Sequence, residues 1–252
     1  MSALPMKSGN PVLSGDVFTD WAVADRQSSV MTIQGTVVKS FVLLALLLVS
    51  AGFAWDQVLS GGISLPLLIG GGIGGFVLAI ITTFKPAWAP YTSPLYALCE
   101  GLVLGSISGV VNQRYQGIVV QAVALTLGVM VMMLGLYATR IIKVTAQLTM
   151  MVVAATGAVA LTYLVTFLLN LFGVVGPSMY LHGSGFIGIG FSLVVVGIAA
   201  FNLLLDFDTI ERGAQAEAPK YMEWYGAFAL MVTLVWLYIE VLRLLSKLRG
   251  RD

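Results

Sequence analysis

Charge is what this 252-residue chain has least of: Asp, Glu, Lys and Arg together make up 10% of it, against about 25% in a soluble globular domain. So few ions cannot cover a water-facing surface, and most of the exterior must therefore meet lipid. The formal net charge of +1 excludes the basic stripe that nucleic-acid binding requires. The one cysteine, Cys99, excludes an intramolecular disulfide and reads as a small buried hydrophobe. With one histidine beside it in the inventory, the chain falls short of the four N/S ligands of a structural zinc site, and a haem site is equally unsupported. His182 and Ser184 share one turn, but two residues are no catalytic triad. Without a nucleophile–base pair or a metal cluster, the chain does not read as an enzyme.

What is present is apolar: 58% of the residues are hydrophobic and the mean hydropathy is +0.95. Residues 144–205 run for 62 positions without one Asp, Glu, Lys or Arg. That is too long for a soluble core helix and enough for two membrane crossings with a turn between them. Similar stretches predict helices over residues 37–58, 65–84, 93–111, 118–139, 144–172, 186–205 (continuing towards 210) and 224–245. The expected fold is an all-α membrane protein, a seven-helix bundle over residues 39–245 with the last helix central. Residues 1–38 form a polar arm with an apolar cluster at Phe18, Trp21 and Val23, and residues 246–252 a short basic tail. The arm does not open as a cleaved signal peptide does. Gly70/Gly74 and Gly71/Gly75 have the four-residue spacing that lets membrane helices approach closely. No Lys-Ser/Thr follows them, so they are not a phosphate loop. Pro86 and Pro90 predict an extended connection, residues 173–185 a turn near an interface, and Met130, Met132 and Met133 packing or lipid contact.

Basic residues mark the cytoplasmic side of a membrane protein. Lys7, Arg26, Lys39, Lys85, Arg140, Lys143, Arg212 and Lys220 all fall on one side if the spans alternate, which predicts a cytoplasmic N-terminus. Arg243, Lys247, Arg249 and Arg251 disagree. They lie on the other side if the last helix crosses fully, the expectation adopted here over a re-entrant segment.

Few carboxylates remain to carry chemistry. Asp206 and Asp208 stand where the long uncharged run stops, with Glu211 and Arg212 at i+3 and i+4 from Asp208. They read either as an ion-paired helix end or as a gate sensitive to protons or cations, because crowded or desolvated carboxylates bind protons more readily. Asp206 and Asp208 are also candidate oxygen ligands for a metal such as calcium, although the stretch lacks the glycine and the length of an EF-hand. Glu100 lies mid-span, where a carboxylate is costly and faces the bundle interior or a cavity. Glu240 has Arg243 at i+3, an ion pair near the interface, and Glu223 can complement the N-terminal dipole of the last helix.

Phe207-Asp208-Thr209-Ile210 and Leu237-Tyr238-Ile239-Glu240, with the run from Glu100 to Gly105, resemble signatures of the Bax inhibitor family of multi-pass membrane proteins. The resemblance covers roughly residues 39–245. It implies a pH-sensitive calcium leak through a seven-helix bundle, with some members linked to protection from cell death. It further implies two aspartates on the last two helices that share a proton, and a basic residue on the second helix that competes for one of them. Asp208 matches the first aspartate, Glu240 stands where the second would be, and Lys85 is near the basic position. A straight helix from Trp224 to Glu240 rises about 24 Å, which carries Glu240 away from Asp208.

The leading expectation is thus a cation leak, gated by carboxylate protonation on helices six and seven, with calcium as the permeant ion and no resident cofactor. The alternatives are a non-conducting membrane regulator that binds another membrane protein or a protease, and a proton-coupled transporter using Glu100. The expected partners are the lipid bilayer, Ca²⁺ or H⁺ and, in the second reading, a membrane protein; the expected location is a plasma membrane, or the inner membrane of a bacterium.

Overall fold

The computed structural model describes residues 30–62, 64–173 and 185–250. The described residues form seven long helices: α1 (Ile33–Leu59), α2 (Ser64–Phe84), α3 (Ala89–Arg114), α4 (Ile118–Ala138), α5 (Ala146–Leu171), α6 (Phe186–Gln215) and α7 (Met222–Arg249). All seven are long and apolar enough to cross a membrane, which is the all-α bundle expected. The shortest have 21 residues, or about 32 Å at 1.5 Å per residue, the thickness of a bilayer's hydrocarbon core.

Several helices run past the ends that hydropathy predicts, while α4 and α5 stop within a residue or two inside theirs. α1 starts at Ile33, inside the stretch read as a polar arm, because Thr32 caps it by accepting from Gly35 N–H. α6 continues to Gln215, so Asp206, Asp208 and Glu211 lie on the helix rather than at its end. α7 is unbroken through Arg249, which absorbs most of the basic tail. Pro86 does not open an extended connection: a 3₁₀ turn over Pro86–Trp88 leads straight into α3. Pro90 falls in the first turn of α3, where its missing N–H is not needed. The arm up to residue 29, with Phe18, Trp21 and Val23, lies outside the described residues, as do His182 and Ser184.

Packing centres on α7, which touches α1, α3, α4 and α6 along its length and reaches α5 through Glu240 and Tyr163. Leu203, Leu204, Leu237 and Leu43 are fully buried around it. α2 and α5 are peripheral, α2 lying mainly on α3 and α5 mainly on α6. The tightest seam is between α1 and α3. A Cβ at Gly101 would overlap the Leu47 carbonyl and the Ser50 hydroxyl, one at Gly105 the Ala51 carbonyl, and one at Gly109 would come within 2.9 Å of Val58 Cβ. Small residues four apart let two membrane helices make backbone contact, and van der Waals packing then holds them where no hydrophobic force acts between helices. On α2 the expected glycine face is real but partial: a Cβ on Gly71 would stand 2.7 Å from the Cys99 carbonyl, while one on Gly70 would meet nothing within 4 Å. Polar pairs join the remaining helices, Ser108 to Tyr238 at 2.7 Å and Asn202 to Thr156 at 2.8 Å.

The described chain starts and stops at opposite ends of the bundle. Met31 N–H donates to the Ala218 carbonyl in the α6–α7 loop, and Arg249 donates to the Gln116 carbonyl in the α3–α4 loop. The last helix therefore runs the full length of the bundle, from the α6–α7 loop end to the α3–α4 loop end.

Candidate functional site

α6 and α7 lie antiparallel: Ile210 packs near Gly226, and Lys247 reaches Gly188 and Ser192. This register decides which carboxylates can meet. Asp206 faces α7, where the Thr233 hydroxyl hydrogen-bonds its carboxylate. Its Oδ2 is buried and makes no hydrogen bond within the protein. Asp208, two residues on, points about 200° around the helix and pairs with Arg212 at 2.6 Å, its side chain 18% exposed. The two aspartates therefore do not converge on one ion, and no three His, Cys, Asp or Glu among the described residues form a group that could hold a metal.

Glu240 does not join them. It lies seven residues beyond Thr233 on α7, about 10 Å along the helix, and turns towards α5. Arg243 Nη1 donates to both of its oxygens, at 2.9 and 3.1 Å, and Tyr163 OH donates to Oε1 at 2.9 Å. The i+3 ion pair with Arg243 expected from the spacing is present; a proton shared with Asp208 is not available in this geometry. Lys85 is exposed at the end of α2, its ammonium 4.6 Å from the Trp88 ring centroid, and none of the ion pairs among the described residues includes it. Glu211 leaves Asp208 and Arg212 and instead binds α4, accepting from Tyr137 and, at 2.5 Å, from Arg140. That bond raises the Arg140 pKa further above its usual range.

Glu100 is half-buried midway along α3 and accepts from Tyr96 OH at 3.2 Å. It faces α2, where a Cβ on Gly75 would lie 3.5 Å from its Oε2. Tyr96 in turn packs edge-on against Phe228 of α7, centroids 5.0 Å apart. The carboxylate thus sits at the α2–α3 seam with one link towards the central helix.

The cluster that spacing did not reveal is at Glu223. This side chain is wholly buried at the start of α7. It accepts from Lys39 on α1, from Lys220 at 2.9 Å, and from the Thr32 N–H and hydroxyl at 2.9 and 2.8 Å. Gly35 leaves the room: any Cβ there would overlap the carboxylate. Helix-dipole complementarity and the i,i+3 neighbour Lys220 were the legible part; Lys39 and Thr32 come from 184 and 191 positions away, and nothing local announces them.

At this end, then, Glu223 and Glu211 are held by cations of neighbouring segments and Asp208 by Arg212 of its own helix, while Asp206 is turned inwards against α7. A family profile described as Bax inhibitor 1 like matches residues 10–250, nearly the whole chain. No curated protein and no solved structure matches it.

Proposed function

The chain belongs to the Bax inhibitor 1 like family of membrane proteins, and from that premise we propose that it is a pH-sensitive cation leak, with calcium as the ion, in which Asp206 is the titrating group. The observation that supports this most is the buried Asp206 Oδ2 without a hydrogen bond in the protein. A carboxylate oxygen withdrawn from water is tolerable when protonated and costly when ionised. Its charge state therefore couples to whether water or an ion reaches the seam between α6 and α7. Ionised, it offers a hard oxygen ligand suited to calcium. Protonated, it attracts no cation and becomes a hydrogen-bond donor in its turn.

Asp208 and Glu240 have a different role in this reading. Each is neutralised by an arginine on its own helix, which leaves them structural. The reading assigns no catalytic step and no resident cofactor, and calcium enters as cargo. The N-terminus is taken as cytoplasmic, from Lys39, Lys85, Arg140, Lys143, Arg212 and Lys220 at one end.

Calcium entry into liposomes holding only this protein, followed from about pH 6 to pH 8, tests the proposal. Flux should vary with pH in the unaltered protein. Asp206→Asn fixes a neutral side chain, so it should hold flux at the acid-side value throughout. Asp208→Asn and Glu240→Gln should keep the pH dependence. A pH profile lost in Asp208→Asn and kept in Asp206→Asn would move the switch to Asp208. No flux at any pH from folded protein would favour the non-conducting regulator.

A further inference from the structure

Two acids in the body of the bundle take part in none of the ion pairs among the described residues, Asp206 and Glu100. The proposed leak uses the first and leaves the second without a role. Glu100 stands midway along α3 (Ala89–Arg114) and faces Gly75, midway along α2 (Ser64–Phe84), so it lies near the middle of the bilayer. We infer that Glu100 is a second proton-binding site of this protein, a carboxylic acid kept neutral between α2 and α3, and that the neutral form is what lets α2 close over it.

Nothing around this side chain compensates a charge. α2 has no ionisable residue from Ser64 to Phe84. On α3 its titratable neighbours are Tyr96, whose hydroxyl donates to Oε1 at 3.2 Å, and Cys99, whose Sγ would stand 3.2 Å from a Cβ on Gly74. α1 meets this stretch of α3 through Leu47, Ser50 and Ala51, and α7 meets it through Phe228, edge-on against Tyr96. None of these is charged. Tyr96 is the one donor to the carboxyl among the described residues, which leaves Oε2 without one. An ionised carboxylate needs donors for both oxygens, and in lipid it is costly without them. The acid needs fewer and can donate a hydrogen bond itself.

The same oxygen decides how closely α2 can sit. α2 packs mainly on α3, while Ile73 and Phe76 on its outer side are exposed. Its approach rests on two glycines: a Cβ on Gly71 would stand 2.7 Å from the Cys99 carbonyl, and one on Gly75 3.5 Å from Glu100 Oε2. Towards the end of α2, Thr82 binds Thr92 at 2.7 Å. The middle has no such clasp, and a charge there would draw water between the helices.

The test uses the full chain in phosphatidylcholine nanodiscs and reads no ion flux, so it stands apart from conduction. The protein is treated with an apolar carbodiimide, dicyclohexylcarbodiimide, or with a water-soluble cationic one, and labelled residues are mapped by peptide mass spectrometry. In a dry site the reaction needs the neutral acid. Its proton goes to one carbodiimide nitrogen and its oxygen to the central carbon, and the O-acylisourea rearranges to an N-acylurea with no atom lost. Glu100 should be labelled by the apolar reagent and not by the soluble one, which should mark the exposed Asp56 instead. Glu100→Gln, a neutral side chain of similar shape, should lose that label and keep its thermal unfolding temperature within about 2 °C. Equal labelling of Glu100 by both reagents would overturn the inference, leaving a hydrated, ionised group. So would an unlabelled Glu100 in folded protein, or a larger fall in the unfolding temperature of Glu100→Gln.

Discussion

The two ends of the bundle treat charge in opposite ways. At the α6–α7 loop end, Glu223, Glu211 and Asp208 each meet a cation: Lys39 and Lys220, Arg140, and Arg212. At the other end, Arg114, Arg243 and Lys247 stand beside one open cavity, Glu240 engages Arg243, and Arg249 binds the α3–α4 loop. The first arrangement closes contacts between segments of the same chain. The second satisfies its cations largely with neutral oxygens, Lys247 with the Gly188 carbonyl and Ser192, and Arg249 with the Gln116 carbonyl and Gln121. A count of basic residues assigns orientation to a membrane protein, but it cannot tell a cation that flanks a helix from one that lines a cavity. The four basic residues that disagree with the topology count include two that line the cavity, Arg243 and Lys247.

Substitutions can break this contrast, and their expected effects fall in a clear order. Glu223→Ala should be the most damaging, because it removes the acceptor of two cations and of Thr32. Breaking a buried ion pair from one side costs about 3–5 kcal/mol, measured as lost stability in thermal unfolding of the detergent-solubilised protein. Arg243→Gln should cost about 2 kcal/mol, since Glu240 is 1% exposed and would retain Tyr163 as its remaining donor. Asp206→Asn should go the other way, gaining about 1 kcal/mol at neutral pH by removing a poorly solvated charge. A loss of stability there would mean that the ionised form is supported after all. Arg212→Gln should change stability by less than about 1 kcal/mol, because its guanidinium is 67% exposed and the pair is screened. Raising the salt concentration should erase that last difference and leave the Glu223 effect largely intact.

How much could be read in advance follows from the physics of each feature. Seven crossings were legible because lipid demands about 20 apolar residues per helix, and the chain supplies them seven times. Helix ends were not, because hydropathy registers where lipid stops and the hydrogen-bonded helix need not stop with it. α6 carries Asp206, Asp208 and Glu211 within unbroken helix for this reason. The Asp208–Arg212 and Glu240–Arg243 pairs were legible from i+4 and i+3 spacing. The inward turn of Asp206 was not, because which side of α6 faces α7 is set by packing of the whole bundle. The Gly101–Gly105–Gly109 ridge stands in plain four-residue spacing, yet the resemblance drew notice to that stretch before its packing did.

The clamp on Glu223 also bears on how the protein is made. Thr32, which starts the first helix, finds its outside partner 191 residues later in the chain. Ribosomes deliver the N-terminus first, so α1 enters the membrane with Lys39 still lacking the carboxylate it holds in the finished molecule. Only the arrival of the last helix completes the beginning of the first. A chain released before Glu223 would leave that ammonium without its carboxylate at the membrane surface, and would also lack the helix on which the rest of the bundle packs.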